Sequence, residues 1–122
     1  MKSQFDTDKP IYLQIAESLE DDILQALVAE EAQVPSTNEM AAMYRINPAT
    51  AAKGINMLVS EGILYKQRGI GMFVAIGAVA KIRKKRKAAF YDEYIVPLVN
   101  EAAHLDISKD EIIEMLNNES ES

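Results

Sequence analysis

The sequence predicts a mostly α-helical fold with a small β-hairpin, and three observations carry that reading. From Pro35 to Val74 the chain reads in order as a short helix, a tight turn, a second helix opened by Asn47-Pro48-Ala49-Thr50, and a hairpin ending Arg68-Gly69-Ile70-Gly71-Met72-Phe73-Val74. That is the layout of a winged helix-turn-helix. An amphipathic helix precedes the block, and helical patterning returns from Ala78. The expected organisation is a winged helix-turn-helix domain over residues 1–76 and a helical appendage of two helices over 77–122.

The first helix is expected to start at Asp8-Lys9-Pro10, with Asp8 as its cap and Pro10 in the first turn, where a missing N–H costs nothing. Ile11, Ile15, Leu19, Ile23 and Leu27 recur at helical spacing, with Tyr12, Ala16 and Leu24 widening the stripe, so the helix should run to Leu27 or Val28. After a polar loop from Ala29 to Val34, Ser36 and Glu39 have the spacing of a capping box, opening a short helix that reaches Tyr44. Arg45-Ile46 makes the turn, Asn47 caps the next helix, and Pro48 takes its first position. Ala51, Ile55, Leu58 and Val59 form the buried face of that helix and leave Ala49, Thr50, Ala52, Lys53 and Asn56 outward, before Glu61-Gly62 ends it. Ile63 to Lys66 and Met72 to Ala75 are β-prone runs around a glycine-bearing turn. Beyond them a basic run, Lys81 to Lys87, leads into an apolar stripe that Pro97 should kink or break. Ser108 and Glu111 form a second capping box ahead of a last helix.

Composition narrows the chemistry. The chain has 122 residues, 48% of them hydrophobic, which suits one core and a small appendage. No cysteine is present, so disulfide and thiolate chemistry are excluded, and the single histidine, His104, cannot build a metal site alone. Neither a paired histidine nor a phosphate loop is present, which disfavours an enzyme, and no cofactor is implied. The opening Met1-Lys2-Ser3-Gln4-Phe5-Asp6 lacks the apolar stretch of a signal peptide, and no run approaches the roughly 20 apolar residues of a membrane span. The expectation is a soluble, cytoplasmic protein without a membrane partner. A net charge of −6 taken alone opposes binding to nucleic acid, whose affinity rests on Lys and Arg. Its distribution answers the objection: between Gln33 and Ala75, Arg45, Lys53, Lys66 and Arg68 meet only Glu39 and Glu61.

These features single out candidate residues. The major groove admits one helix whose first turns reach base edges, and Asn47, Pro48, Ala49, Thr50 and Lys53 supply the small or polar surface this needs. Arg68, beside Gly69 and Gly71 in the hairpin turn and with Lys66 before it, can meet a phosphate or enter a minor groove because glycine permits close approach. The run Lys81 to Lys87 is compatible with phosphate contact, with an acidic partner, or with a solvated face. Phe90, Tyr91, Tyr94, Ile95, Leu98, Val99, Ala102, Leu105, Ile112 and Leu116 are more apolar surface than two short helices can hide, which suggests a homodimer interface. The appendage should be too small to enclose a ligand cavity, so any effector would sit between protomers.

The sequence resembles the GntR family of bacterial transcription regulators, in particular its short YtrA-like branch, from Pro10 to about Leu116. Pro10-Ile11-Tyr12-Leu13-Gln14-Ile15 is similar to the family's opening helix, and Pro35-Ser36-Thr37-Asn38-Glu39-Met40-Ala41 to its Pro-Ser-x-Arg-x-Leu-Ala motif. Asn47-Pro48-Ala49-Thr50 is similar to the Asn-Pro-Asn-Thr opening of the branch's recognition helix, and Glu61 to Leu64 with Arg68 to Val74 matches its wing. The resemblance implies that Ser36, Thr37, Asn38 and Arg45 join the DNA-binding set and that the C-terminal helices dimerise. Asn38 stands where the family usually has an arginine, Arg45 where glycine is common, Gly54 where alanine is usual, and Glu30-Glu31-Ala32 lacks a common glycine. The function implied is sequence-specific repression by a homodimer on a palindromic operator. The alternative from the residues is a winged-helix adaptor that binds protein rather than specific DNA.

Overall fold

The computed structural model describes residues 8–121, and the side chains of 8–119. The opening Met1 to Asp6 therefore lies outside the described residues. Helix α1 spans Ile11–Leu24 and is capped by Pro10 with no side-chain bond, so Asp8 is not the cap expected for it. The helix also stops earlier than its apolar spacing suggests. The Ala26 N–H donates to the Ile23 carbonyl at 3.1 Å and the Leu27 N–H to the Asp22 carbonyl at 2.9 Å, with Ala26 left-handed at φ 61°. These are the paired bonds of a Schellman stop, here without its usual glycine.

Strand β1 is Gln33–Val34, a third strand that the loop reading of Ala29 to Val34 missed. Helix α2, Thr37–Tyr44, is capped as expected, and α3 is Pro48–Ser60. Strands β2, Leu64–Gln67, and β3, Gly71–Val74, form the hairpin; the antiparallel sheet has the order β1-β3-β2, with Val34 opposite Met72 and Tyr65 opposite Phe73. Two residues are too short for a periodicity signal, so β1 exists only because β3 offers it an edge.

Ile15, Leu19 and Ile23 of α1, Met40 of α2, Ile55 and Leu58 of α3, and Val34, Leu64 and Val74 of the sheet build one core. Helix α4, Ala78–Phe90, adds Ala78 and Ile82 to it, so the first turns of α4 belong to the N-terminal core rather than to an appendage beginning at 77. The chain divides into two compact units between Lys84 and Lys85. The Glu30 carboxylate fixes the start of α4, accepting from the Gly77 N–H at 2.9 Å and the Val79 N–H at 3.0 Å.

In the second unit a π-helical turn, Tyr91–Ile95, precedes α5, Val96–His104. Pro97 lies in the first turn of α5, directly after a π-helical turn that interrupts the α-helical run, so the break expected at this proline is present. A proline has no N–H and crowds the carbonyl one turn earlier, and the wider π turn before it absorbs both effects. Helix α6 spans Lys109–Glu121, opened by Ser108, whose hydroxyl accepts from the Glu111 N–H at 3.1 Å.

Candidate nucleic-acid interface

The first turn of α3 is set by its cap. Asn47 Oδ1 accepts from the Ala49 N–H at 2.7 Å, and Pro48 at the first helical position has no N–H to satisfy. Ala51, Gly54, Ile55 and Leu58 are buried, Ala49, Lys53 and Asn56 are exposed on the opposite side, and Asn47 and Pro48 are exposed at the helix start. Thr50 and Ala52 are half-buried, so the free surface of the helix is narrower than its sequence suggested. Val59, expected inside, is only partly covered.

At the start of α2, Ser36 Oγ accepts from the Glu39 N–H at 3.1 Å while Glu39 Oε1 accepts from the Ser36 N–H at 3.0 Å. The reciprocal box leaves Ser36 and Asn38 exposed and Thr37 half-buried. The Ser36 backbone N–H, and then its hydroxyl, hold the Glu39 carboxyl below its ordinary pKa. That acid is thus committed to the α2 terminus, where the helix dipole favours it. Arg45 follows α2 in the left-handed region at φ 55°, ψ 51°, with its side chain exposed. The Ile46 N–H closes the stop by donating to the Ala41 carbonyl at 3.0 Å.

The hairpin tip carries Lys66, Arg68 and Gly69, all exposed, and Gly71, half-buried. Gly69 has φ 77° with open space around it, so the turn conformation alone requires glycine there. At Gly71, φ is 147° and an added Cβ would lie 2.5 Å from Gln33 Nε2. Gln33 donates from that nitrogen to the Ile70 carbonyl at 3.1 Å, bracing the turn from β1. Sequence reading passed over Gln33, because its role depends on a strand pairing between distant segments. The stacked rings of Tyr65 and Phe73, 5.7 Å apart, stiffen the hairpin at their cross-strand position.

Lys53 is tied to α1. Its ammonium lies 4.2 Å from the centre of the Tyr12 ring. Beside it, a Cβ on Gly54 would lie 2.6 Å from the Tyr12 carbonyl oxygen, so the glycine lets α1 and α3 approach at this crossing. All the candidate DNA-contacting residues fall within the first unit, on α2, its following turn, α3 and the hairpin.

The candidate dimer residues fall in the second unit. Phe90, Tyr91, Tyr94, Leu98, Val99, Leu105 and Leu116 are exposed, between 40% and 64%. Ile95 and Ile112 are half-buried. Ala102 is buried at 7% exposure and so packs within the unit rather than on a free face. Ile113 and Met115, exposed at 45% and 53%, extend the apolar surface beyond the expected set. An apolar groove of about 300 Å³, open to solvent rather than enclosed, lies among Leu98, Ala102, Leu105, Ile107, Ile112 and Leu116. Among the described residues no cluster suited to a metal ion is present, and no helix is long and apolar enough to cross a membrane.

Comparison with known proteins places this arrangement. The model of the bacterial regulatory proteins, gntR family, matches residues 11–74. The HTH-type transcriptional regulator YhcF of Bacillus subtilis is 34% identical over 118 residues, covering 93% of each chain. A crystal structure of a GntR family transcriptional regulator from Bacteroides thetaiotaomicron is 37% identical, covers 91% of this chain and 96% of its own, and superposes with a TM-score of 0.72. The DNA-binding domain of AraR, in a crystal structure with operator ORX1, is 30% identical, covers 62% of this chain and 92% of its own, and has a TM-score of 0.54. The chain, with its capped α2 and α3, braced hairpin and C-terminal helices, belongs to the GntR family of bacterial regulatory proteins.

Proposed function

We propose that this protein is a cytoplasmic, homodimeric repressor that binds a palindromic DNA operator. The observation that carries the reading is the exposed start of α3, where Asn47, Pro48, Ala49 and Lys53 present a small, polar surface on a helix whose other side is core. A helix of this kind fits the major groove end-on, with Thr50 and Asn56 at base edges. Ser36, Thr37, Asn38 and Arg45 contact phosphates from α2 and its turn, and Lys66, Arg68, Gly69 and Gly71 do so from the hairpin. An operator-bound relative of the same domain supports the assignment. The exposed apolar stripe from Phe90 to Leu116 supports pairing through the second unit, since a two-fold contact covers the same stripe on both chains.

Selection of duplexes from a random pool by the intact protein tests the reading, followed by titration of the recovered sequence at several salt concentrations. The expected result is a recurrent two-fold motif with half-sites about one helical turn apart. Thr50→Ala should weaken that sequence by about one decade or more. Enrichment of no sequence, with no salt-sensitive binding to random duplex, would overturn the reading.

A further inference from the structure

The contact between Lys53 and Tyr12 has a consequence for which part of DNA the lysine meets. At 100° per residue, Ala49, Lys53, Asn56 and Ser60 share the exposed side of α3, opposite Ala51, Ile55 and Leu58. From its Cα position alone Lys53 would project outward toward the groove floor. Its ammonium instead lies 4.2 Å from the Tyr12 ring centre, over a residue of α1. Gly54 fixes where that ring can be, because only the missing Cβ allows the Tyr12 backbone to sit against α3. The close crossing and the ring contact are separate observations, and both place Tyr12 beside the root of Lys53.

A helix lying in the major groove has base edges beneath it and phosphate strands along its flanks. A cation drawn sideways toward a neighbouring helix is drawn toward a flank. A ring covers only one side of an ammonium, and the remaining N–H groups stay available to an anion. We infer that Tyr12 is a positioning residue that holds Lys53 as a phosphate contact, leaving base selection to Thr50 and Asn56. This rests on the proposed reading of α3 as the DNA-contacting helix.

The test uses the full chain with Tyr12→Leu, Tyr12→Phe, Lys53→Met and the Tyr12→Leu/Lys53→Met double variant, each titrated with the selected operator and with a random duplex of equal length. Lys53→Met should weaken both duplexes by similar factors and reduce the steepness of the salt dependence by about one ion. Tyr12→Leu should weaken both by about two- to fivefold, the modest effect of an exposed cation–ring pair. Tyr12→Phe, which keeps the ring, should bind as the parent does, and Tyr12→Leu should add no loss where Lys53 is already Met. In the intact chain the ε-methylene protons of Lys53 should also resonate upfield from ring-current shielding, a readout that does not depend on how any variant folds. Equal losses from Tyr12→Leu with and without Lys53, a Lys53→Met defect confined to the operator, or unshifted ε-methylene protons would each overturn the inference while leaving DNA binding intact. An intact chain that binds no duplex would overturn the underlying reading together with it.

Discussion

Gly54 shows how a single residue can be misjudged from sequence. By helix propensity alone, glycine inside α3 costs about 1 kcal/mol relative to alanine. The structure gives the opposite ranking, since an alanine Cβ would lie 2.6 Å from the Tyr12 carbonyl oxygen, a backbone atom that cannot swing aside. Forced overpacking of this kind costs about 1 to 3 kcal/mol, which outweighs the propensity gain. Gly54→Ala should therefore lower the midpoint of urea unfolding; a variant as stable as the parent, or more so, would show that α1 and α3 separate freely. The reading of Lys53 changes for the same reason. Its type and spacing were legible as an exposed cation on the reading helix, but the ring that holds it lies on another helix and left no mark near Lys53 in the sequence.

At the scale of elements, helix starts were more legible than helix ends. Ser36 with Glu39, Asn47 with Ala49, and Ser108 with Glu111 are local devices whose capping bonds form between residues two or three apart, and those bonds are present. Stops were harder. Four helices end in the paired backbone bonds of a Schellman stop, at Ala26, Arg45, Gly62 and Asp106, and only one of those left-handed positions is glycine. The other three strain their backbones by about 1 kcal/mol each, held there by the packing of the chain that follows. The cap of α4 was invisible for a different reason, since Glu30 lies far from it in sequence.

That cap makes stability sensitive to acid. The Gly77 N–H, then the Val79 N–H, hold the Glu30 carboxyl below its ordinary pKa of 4.5. As pH falls, the unfolded chain takes up this proton first, so the contribution of Glu30 is complete above about pH 4.5 and is lost as pH drops through the lower folded value. Glu39 has the same sign through its bonds to Ser36. Asp22, whose carboxyl burial pushes up, has the opposite sign and offsets part of the loss. Glu30→Gln should reduce stability near neutral pH and flatten its fall below pH 4.5, measured by thermal unfolding across a pH series. Parallel curves for the two proteins would remove Glu30 as a source of that slope.

At the scale of the whole molecule, the second unit leaves large apolar side chains uncovered, among them Tyr91, Tyr94, Leu105 and Leu116, each above 60% exposed. Monomeric proteins rarely leave so much contiguous apolar surface in water. If pairing covers it, Leu98→Asp should shift sedimentation from dimer to monomer and weaken operator binding much more than it alters the first unit's fold. An intact protein that sediments as a monomer at high concentration would rule the pairing out.

The sequence by itself determined the order of helices and hairpin, the caps that start α2 and α3, and the family, because all of these are written in residues near one another in the chain. Helical spacing and turn chemistry act locally and leave a readable period. Only the tertiary structure decided that Gln33 braces the wing, that Glu30 caps α4, that Gly54 admits Tyr12, and where the Lys53 ammonium points. Each of these joins segments distant in sequence, and the energy that selects them exists only once the core has brought those segments together.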